Sequence, residues 1–409
     1  MDRRNYFSSS SSYSNSTKSR NSNYPKHSIP SRDSSGITST KKTTTRNRDS
    51  DDGRRHDSDD GHQDYPTLVG TCPFMCPGEE RERRERLRDL AVFERLHGNP
   101  AKTSPNLAVK KFCRTINTKD VQASDVRPVP VLEDTLNYLL NLLHSSDQSF
   151  AVVHDFIFDR TRSIRQDLSM QSAVSDQVIH MYERMVKFHI ISHRHLHRSF
   201  GNPNIASMCH LNMEQLMKAL TTLLNLYEAN RASHSMCQNE AEFSSFYLLL
   251  HLGSDKQVEP LSLWFRNIPS PIMKSKEMCF ARRLLRYYRL GNYKQFISTT
   301  EGEASYLQYC IIEPYINEVR MLALSCLSYG GYKLQPYPLL HLSKLLMMKE
   351  SEVESLCIDC ALETSSDGTG KGLLATKQSV IMKSSGGFQK YYPMESERIE
   401  RLCTELPEL

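Results

Sequence analysis

The sequence predicts an all-α chain: a disordered N-terminal tail, a helical-repeat array, and a C-terminal winged-helix module. Three observations carry this prediction. From about residue 80 to 330, apolar residues recur at three- and four-residue steps, with almost no strand-like alternation. The linkers between these runs are short and carry Pro, Gly or Asn, so successive helices pair in space. After Gly330 and Gly331 the pattern changes to two short helical runs, a glycine-rich turn and an alternating run.

Residues 1–64 form the tail. Sixteen are serine and seven are hydrophobic, too few to bury the apolar surface that would offset ordering. The mixed-charge run RNRDSDDGRRHDSDDGHQD is read as solvated chain. Ser50 and Ser58 beside acids, and Arg54 with Arg55, allow a phosphorylation site or a weak nuclear address instead. This tail holds 12 Lys or Arg against 9 Asp. The rest of the chain holds 40 basic and 38 acidic residues, so the overall charge of +5 provides no global field. Any nucleic-acid contact therefore requires a local patch.

Order is expected from Tyr65, with an entry motif and charged helix over 65–104 and the array over 105–332. In GTCPFMCPGEERERRERLRDLAVFE the prolines stop any earlier helix. Glu79, Glu80 and Glu82 then open a new one, followed by Arg81, Arg83, Arg84, Arg86 and Arg88. Acids at the N-terminal end and ion pairs at i,i+4 suit an exposed or partner-facing helix. The stretch RERLRDLAVFERLH (84–97) places Leu87, Leu90, Ala91 and Leu96 on one face. Periodic runs follow at 131–143, 149–168, 176–196, 211–229, 240–252, 279–298 and 303–329, with GNPNIAS, RNIPSPIMK and GNYK as linkers. No strict period supports tetratricopeptide repeats as such, so the pairs are degenerate. The winged helix is expected over 333–400. Its helices are 337–348 and 350–363, SSDGTGKG is the turn, 372–384 is a strand and GGFQKYY its partner. Residues 401–409 are read as a terminal tail.

The candidate chemistry is thin. Cys72 and Cys76 have zinc-ligand spacing, but no second ligand pair lies nearby. A redox pair is the further alternative. The favoured reading is a tight turn fixed by Pro73 and Pro77, with packed thiols. Cys357 and Cys360 fall on a helix among apolar neighbours and read as core. The run HIISHRHLHR offers His189 and His193, then His195 and His197. Ile190 stands where a metalloprotease helix carries Glu, so a polar helix end is favoured over a metal site. In DFIFDRTRSIRQDL, Asp155, Asp159 and Asp167 alternate with Arg160, Arg162 and Arg165. That pattern reads as an ion-pair network tying neighbouring helices, not as acid–base catalysis. GTGKG lacks phosphate-loop spacing and follows a helix, so it is a hairpin turn. No catalytic constellation, metal site, cofactor or small-molecule substrate is expected. The eleven scattered cysteines, an odd count, fit reduced thiols inside a cell. The N-terminus lacks a signal-peptide core and no run is long enough for a membrane span, so no membrane partner is expected.

Taken in order, these blocks resemble the SAC-three/GANP family. GTCPFMCPGEERERRE is similar to its entry motif, with Cys72, then Met75-Cys76-Pro77 before Arg84-Glu85. VKKFCRT, VRPVPVLEDTLNYLL, FDRTRSIRQDL (Asp159, Arg160, Arg162, Arg165, Asp167), MYERMVKFHI, EAEFSSFYLL and GNYKQF follow, spanning about 70–330. The resemblance implies a TPR/PCI-like helical-repeat array ending in a winged helix. It implies a non-enzymatic scaffold of a TREX-two-like nuclear complex, which couples transcription to mRNA export through nuclear pores. The implied partners are a PCI-domain protein, a small acidic proteasome-lid-type subunit, and RNA or DNA held weakly and without sequence preference. The implied location is the nucleus, in the nucleoplasm or at the nuclear-envelope side of pores. The chain lacks the long C-terminal helix and phenylalanine–glycine repeats of larger members, and so resembles a short, core-only paralogue. Lys344, Lys371, Lys377, Lys383 and Lys390 are the candidate phosphate contacts on the winged helix. The alternative is a regulatory interaction protein of a different PCI-containing or centrosomal complex, without nucleic-acid binding.

Overall fold

The computed structural model describes residues 68–115, 121–199, 203–232, 237–253, 261–331, 335–367, 370–377 and 394–404. The tail expected over 1–64 lies outside the described residues. Helix α1 (Gly78–Leu87) starts directly after Pro77, whose carbonyl accepts the Arg81 N–H at 3.0 Å, with Glu79 and Glu80 in its first turn. It ends sooner than the periodicity suggests. Arg88 adopts φ 55°, and the Asp89 N–H donates back to the Arg84 carbonyl at 2.9 Å. The single face expected for Leu87, Leu90, Ala91 and Leu96 therefore does not form. Leu87 is exposed, while Leu90 is buried in an irregular stretch with tight turns at Val92–Glu94 and Leu96–Gly98.

The array follows. Helices α2 (Val129–Ser145), α3 (Phe150–Met170), α4 (Asp176–Arg198) and α5 (Pro203–Ala232) pack in succession. The sequence of α2 reads VPVLEDTLNYLLNLL; Pro130 sits in its first turn, and Leu132, Leu136, Leu139 and Leu140 form its buried face. Ser175 caps α4, accepting the Val178 N–H at 3.3 Å. Helix α5 begins inside GNPNIAS, expected as a linker, because proline is tolerated at a helix start where its missing N–H has no partner to lose. Next come α6 (Glu240–Leu250), α7 (Leu261–Asn267), α8 (Ser270–Met273), α9 (Lys276–Arg289), α10 (Tyr293–Glu303) and α11 (Tyr306–Gly330). The short α8 occupies part of the expected linker RNIPSPIMK. Ser275 and Asn292 cap α9 and α10. Ser305 and Gln308 form a reciprocal capping box at α11, with bonds of 3.0 and 3.3 Å.

Packing is not purely between sequence neighbours. Helix α11 lies against α4, α6 and α10 together, and α6 packs on α9. One connected apolar core runs from Val109 to Ile399. No helix among the described residues is long and apolar enough to cross a membrane.

The C-terminal module opens with β1 (Tyr337–Pro338), then α12 (Leu339–Leu346), α13 (Glu350–Asp359), β2 (Thr364–Asp367) and β3 (Gly370–Leu373). The sheet is antiparallel in the order β1-β3-β2. The expected strand over 372–384 is corrected. The strand ends at Leu373, and SSDGTGKG is not merely the turn but supplies both arms of the hairpin. Gly372 makes the third strand possible, since a Cβ there would meet Pro336 Cβ at 2.6 Å. Residues 378–393, including the expected partner strand GGFQKYY, lie outside the described residues. Cys357 and Cys360 are buried at 0% and 1% exposure, as core side chains should be. A last helix, α14 (Glu397–Thr404), packs on α10 and α11; the sequence reading divides it at residue 400. Arg398 anchors it, donating to the Glu301 and Ala304 carbonyls at 2.5 and 2.6 Å.

Candidate functional site: a charged junction on α3

The entry motif is held by backbone pairing to the 108–126 stretch that leads into α2. Thr71 and Cys72 N–H groups donate to the Ala123 and Val126 carbonyls at 2.8 and 3.0 Å. Gly70 permits this approach, because a Cβ would meet the Val126 carbonyl oxygen at 2.6 Å. The Met75 carbonyl accepts from the Lys110 N–H at 2.9 Å and from Arg127 Nη1 at 3.2 Å. Met75 therefore works partly through its main chain. Glu85 Oε1 accepts the Thr103 N–H at 2.7 Å.

Two carboxylate hubs lock this layer. In the first, Glu94 Oε1 accepts the Val109 N–H and Oε2 the Ala91 N–H, each at 3.0 Å. Its Oε2 also accepts from Arg84 Nη2, and from Arg160 Nη2 at 3.1 Å. Arg84 further donates to the Val109 and Asp89 carbonyls at 3.0 and 3.1 Å, and Arg160 pairs with Asp159. Burial opposes the Glu94 charge, but Arg160 and Arg84 outweigh it and hold its carboxyl below the usual carboxylate range. In the second hub, Asp167 accepts from Lys110 Nζ at 2.6 Å and Arg127 Nε at 2.8 Å. Arg127 Nη2 also donates to Ser163 Oγ at 2.9 Å. Asp167, Glu94 and Arg127 are each 0% exposed. Of the six charges the sequence places in an ion-pair network, Asp159, Arg160 and Asp167 have ion pairs among the described residues, and those to Glu94, Lys110 and Arg127 tie α3 to the 84–127 segment and not to a neighbouring helix.

The two cysteines sit inside this layer. Cys72 and Cys76 are buried, and burial pushes both thiols up, Cys76 to about 12. Their neutral form fits the packed-turn reading. Among the described residues, no group of three or more His, Cys, Asp or Glu is placed to hold a metal.

Arg162 and Arg165 point elsewhere. Arg162 stacks on the Phe112 ring, 3.8 Å from its centroid, and lines two clefts of about 1140 and 700 Å³. Arg165 Nη2 donates to Gln215 Oε1 at 2.7 Å. Nothing before residue 170 signalled Gln215. The histidine run also departs from expectation. His189 is fully buried, not at a polar end. Its Nδ1 lies 2.8 Å and His154 Nε2 3.1 Å from Asn212 Oδ1, and Asn212 Nδ2 donates to the His189 carbonyl at 2.8 Å. That last bond fixes Asn212 Oδ1 as an acceptor, so both rings donate to it. Burial pulls His189 down to about 3 and His193 to about 4.

Of the five lysines, Lys344 is exposed on α12 and Lys377 is exposed after β3. Lys371 on β3 pairs with Glu354 at 2.7 Å. Lys383 and Lys390 lie outside the described residues. A basic stripe the sequence reading passed over lies on α9. Arg282, Arg286 and Arg289 are exposed at i, i+4 and i+7, and RRLLRYYR was its visible signal.

Residues 75–366 match the SAC3/GANP family. The chain belongs to the SAC3/GANP family. It is 35% identical over 303 residues to SAC3 family protein B of Arabidopsis thaliana, covering 72% of this chain and 18% of that protein. It is 31% identical over 281 residues to SAC3 family protein 1 of Schizosaccharomyces pombe, covering 64% and 26%. Protein xmas of Drosophila melanogaster is 27% identical over 267 residues, covering 62% and 12%. The chain thus spans roughly an eighth to a quarter of these relatives' lengths. Both hubs of this SAC3/GANP chain fall wholly within the matched region.

Proposed function

We propose that this SAC3/GANP chain is a non-enzymatic scaffold subunit of a TREX-two-like nuclear complex that couples transcription to mRNA export. It binds a PCI-domain protein beside its C-terminal module, together with a small acidic subunit, and holds RNA or DNA weakly. The observation that carries this reading is the family match over 75–366, with the entry motif and FDRTRSIRQDL locked together as one structural unit. The two helices α12 and α13 followed by the β2–β3 hairpin support a winged-helix reading of the C-terminal module. Lys344 and Lys377 are the exposed phosphate contacts it offers. The buried, neutral thiols of Cys72 and Cys76 and the saturated carboxylates support a scaffold and not a catalyst.

The test is purification of the tagged chain from nuclei at moderate salt, with quantitative mass spectrometry. Equimolar recovery of a PCI-domain protein and a small acidic subunit is expected; their absence sinks this reading. The second reading, a complex without nucleic-acid binding, draws on the Lys371–Glu354 pair, which neutralises one candidate contact. RNA binding whose affinity does not change with salt, or no binding at all, would favour it.

A further inference from the structure

We propose that the cleft between α3 and α5 receives an acidic peptide segment of a partner protein, with its carboxylates gripped by Arg162 and Arg165 and its apolar side chains seated on Met170, Val174 and Leu226. The inference rests on the α3–α5 geometry and is independent of the nuclear-complex reading. The cleft has a volume of about 700 Å³, within the range of ligand sites and far larger than a single ion needs. Its described lining includes three cations, Arg162, Arg165 and Lys218, and no Asp or Glu. Sequence spacing builds it. Arg162 and Arg165 are i,i+3 on α3, while Gln215, Lys218 and Thr222 are i, i+3 and i+7 on α5.

The charge state of this wall is unusual for a protein interior. Arg165 Nε is buried without a hydrogen-bond partner, and Nη2 meets the neutral amide of Gln215. Among the described residues, neither Arg162 nor Arg165 has a carboxylate within ion-pair distance. Burial, then the neighbouring Arg162, disfavour the charge, and Arg165 is drawn down to about 10. Nearby acids are already engaged: Asp167 with Lys110 and Arg127, Asp159 with Arg160, and Glu214 with Lys218, so the two arginines are the cations left without a carboxylate here. A partner carboxylate would supply the missing counter-charge, and a guanidinium fork accepts it with two parallel bonds.

The remaining walls select a peptide over a nucleic acid. The face of Phe112 is covered by Arg162 and Tyr182 is buried, so no open ring stands ready for a base to stack on. Val174 is instead 55% exposed at the rim, with Leu226 and Met170 half-buried beside it. Exposed aliphatic groups beside unpaired arginines fit a segment that alternates acidic and apolar residues.

The experiment uses the full chain and a fluorescein-labelled twelve-residue peptide alternating Glu with Leu or Val, read by fluorescence anisotropy. Its Gln-for-Glu version and poly(U) RNA are the comparison probes. The acidic peptide should bind, and the Gln version at least about tenfold more weakly. The double variant Arg162→Gln, Arg165→Gln should reduce acidic-peptide affinity by about tenfold or more while leaving the melting temperature unchanged or raised, because it removes an uncompensated charge. Val174→Asp, at an exposed position that cannot disturb the core, should also weaken it by repulsion. Equal affinity for the Glu and Gln peptides overturns the proposal, as does binding insensitive to both variants. So does poly(U) binding that these variants abolish, which would make the cleft a nucleic-acid site. None of these outcomes bears on recovery of nuclear partners.

Discussion

Helix α3 turns two faces to two neighbours. Towards the entry segment, Arg160 and Asp167 are enclosed by partners: Glu94 and Asp159 on one, Lys110 and Arg127 on the other. On the side nearer α5, Arg162 stacks on the Phe112 ring at the edge of that segment and Arg165 reaches the Gln215 amide on α5. Both faces come from the same eleven residues, FDRTRSIRQDL. Charges that are buried and saturated fix architecture. Charges that are buried and left without a counter-ion cost stability and are kept where something else is to be bound. Residue type alone did not separate the two roles; position around the helix did.

The comparison can be broken first at Asp167. Asp167→Asn leaves Lys110 and Arg127 buried without a counter-charge and should cost about 3–5 kcal/mol in urea unfolding. A loss below about 1 kcal/mol would show that the hub is not what holds the entry segment. Glu94→Gln should cost less, about 2–3 kcal/mol, because Asp159 and Glu80 still face Arg160 and Arg84. Next is acid. His189 is neutral in the fold with its pKa down at about 3, against about 6.5 unfolded. The unfolded chain therefore takes up the proton first, and stability falls as pH drops from about 6.5 towards 3, at about 1.4 kcal/mol per pH unit. His193 adds a similar slope down to about 4. Glu94, whose pKa is depressed, contributes above the usual carboxylate range and is lost only at lower pH. Tm measured against pH should show His189→Gln flattening the upper phase by about one proton. The smallest expected effect is Arg165→Gln, near zero or stabilising. A loss above about 2 kcal/mol would move Arg165 to the architectural face. Alkylation sharpens the last point: at pH 8, iodoacetamide should label the exposed Cys113 and Cys279 and spare Cys76.

Much of the fold was legible because helix periodicity repeats over many turns. The runs at 131–143 and 149–168 mark α2 and α3 nearly to the residue. The short strands were not, since four residues such as Thr364–Asp367 carry almost no period and TSSD is polar throughout. The site was half legible. An i,i+4 rule finds Glu80 for Arg84, yet the closer partner is Glu94, brought in by a left-handed turn at Arg88. Asp167 meets Arg127 from forty residues away, across the whole of α2, a pairing that periodicity within one helix does not describe. His189 looked polar because its partner Asn212 lies on the next helix.

The packing of α11 on α4 has a consequence for how the chain is made. Some 110 residues separate the end of α4 at Arg198 from the start of α11 at Tyr306. At ribosomal rates of about 5–20 residues per second, that is about 5–20 s of synthesis. Throughout that interval the side of α4 destined for α11 has no native cover, although α5 already shields the other side. A nascent SAC3/GANP chain of this kind carries that flank through translation with Arg194 and Arg198 still waiting for Glu313.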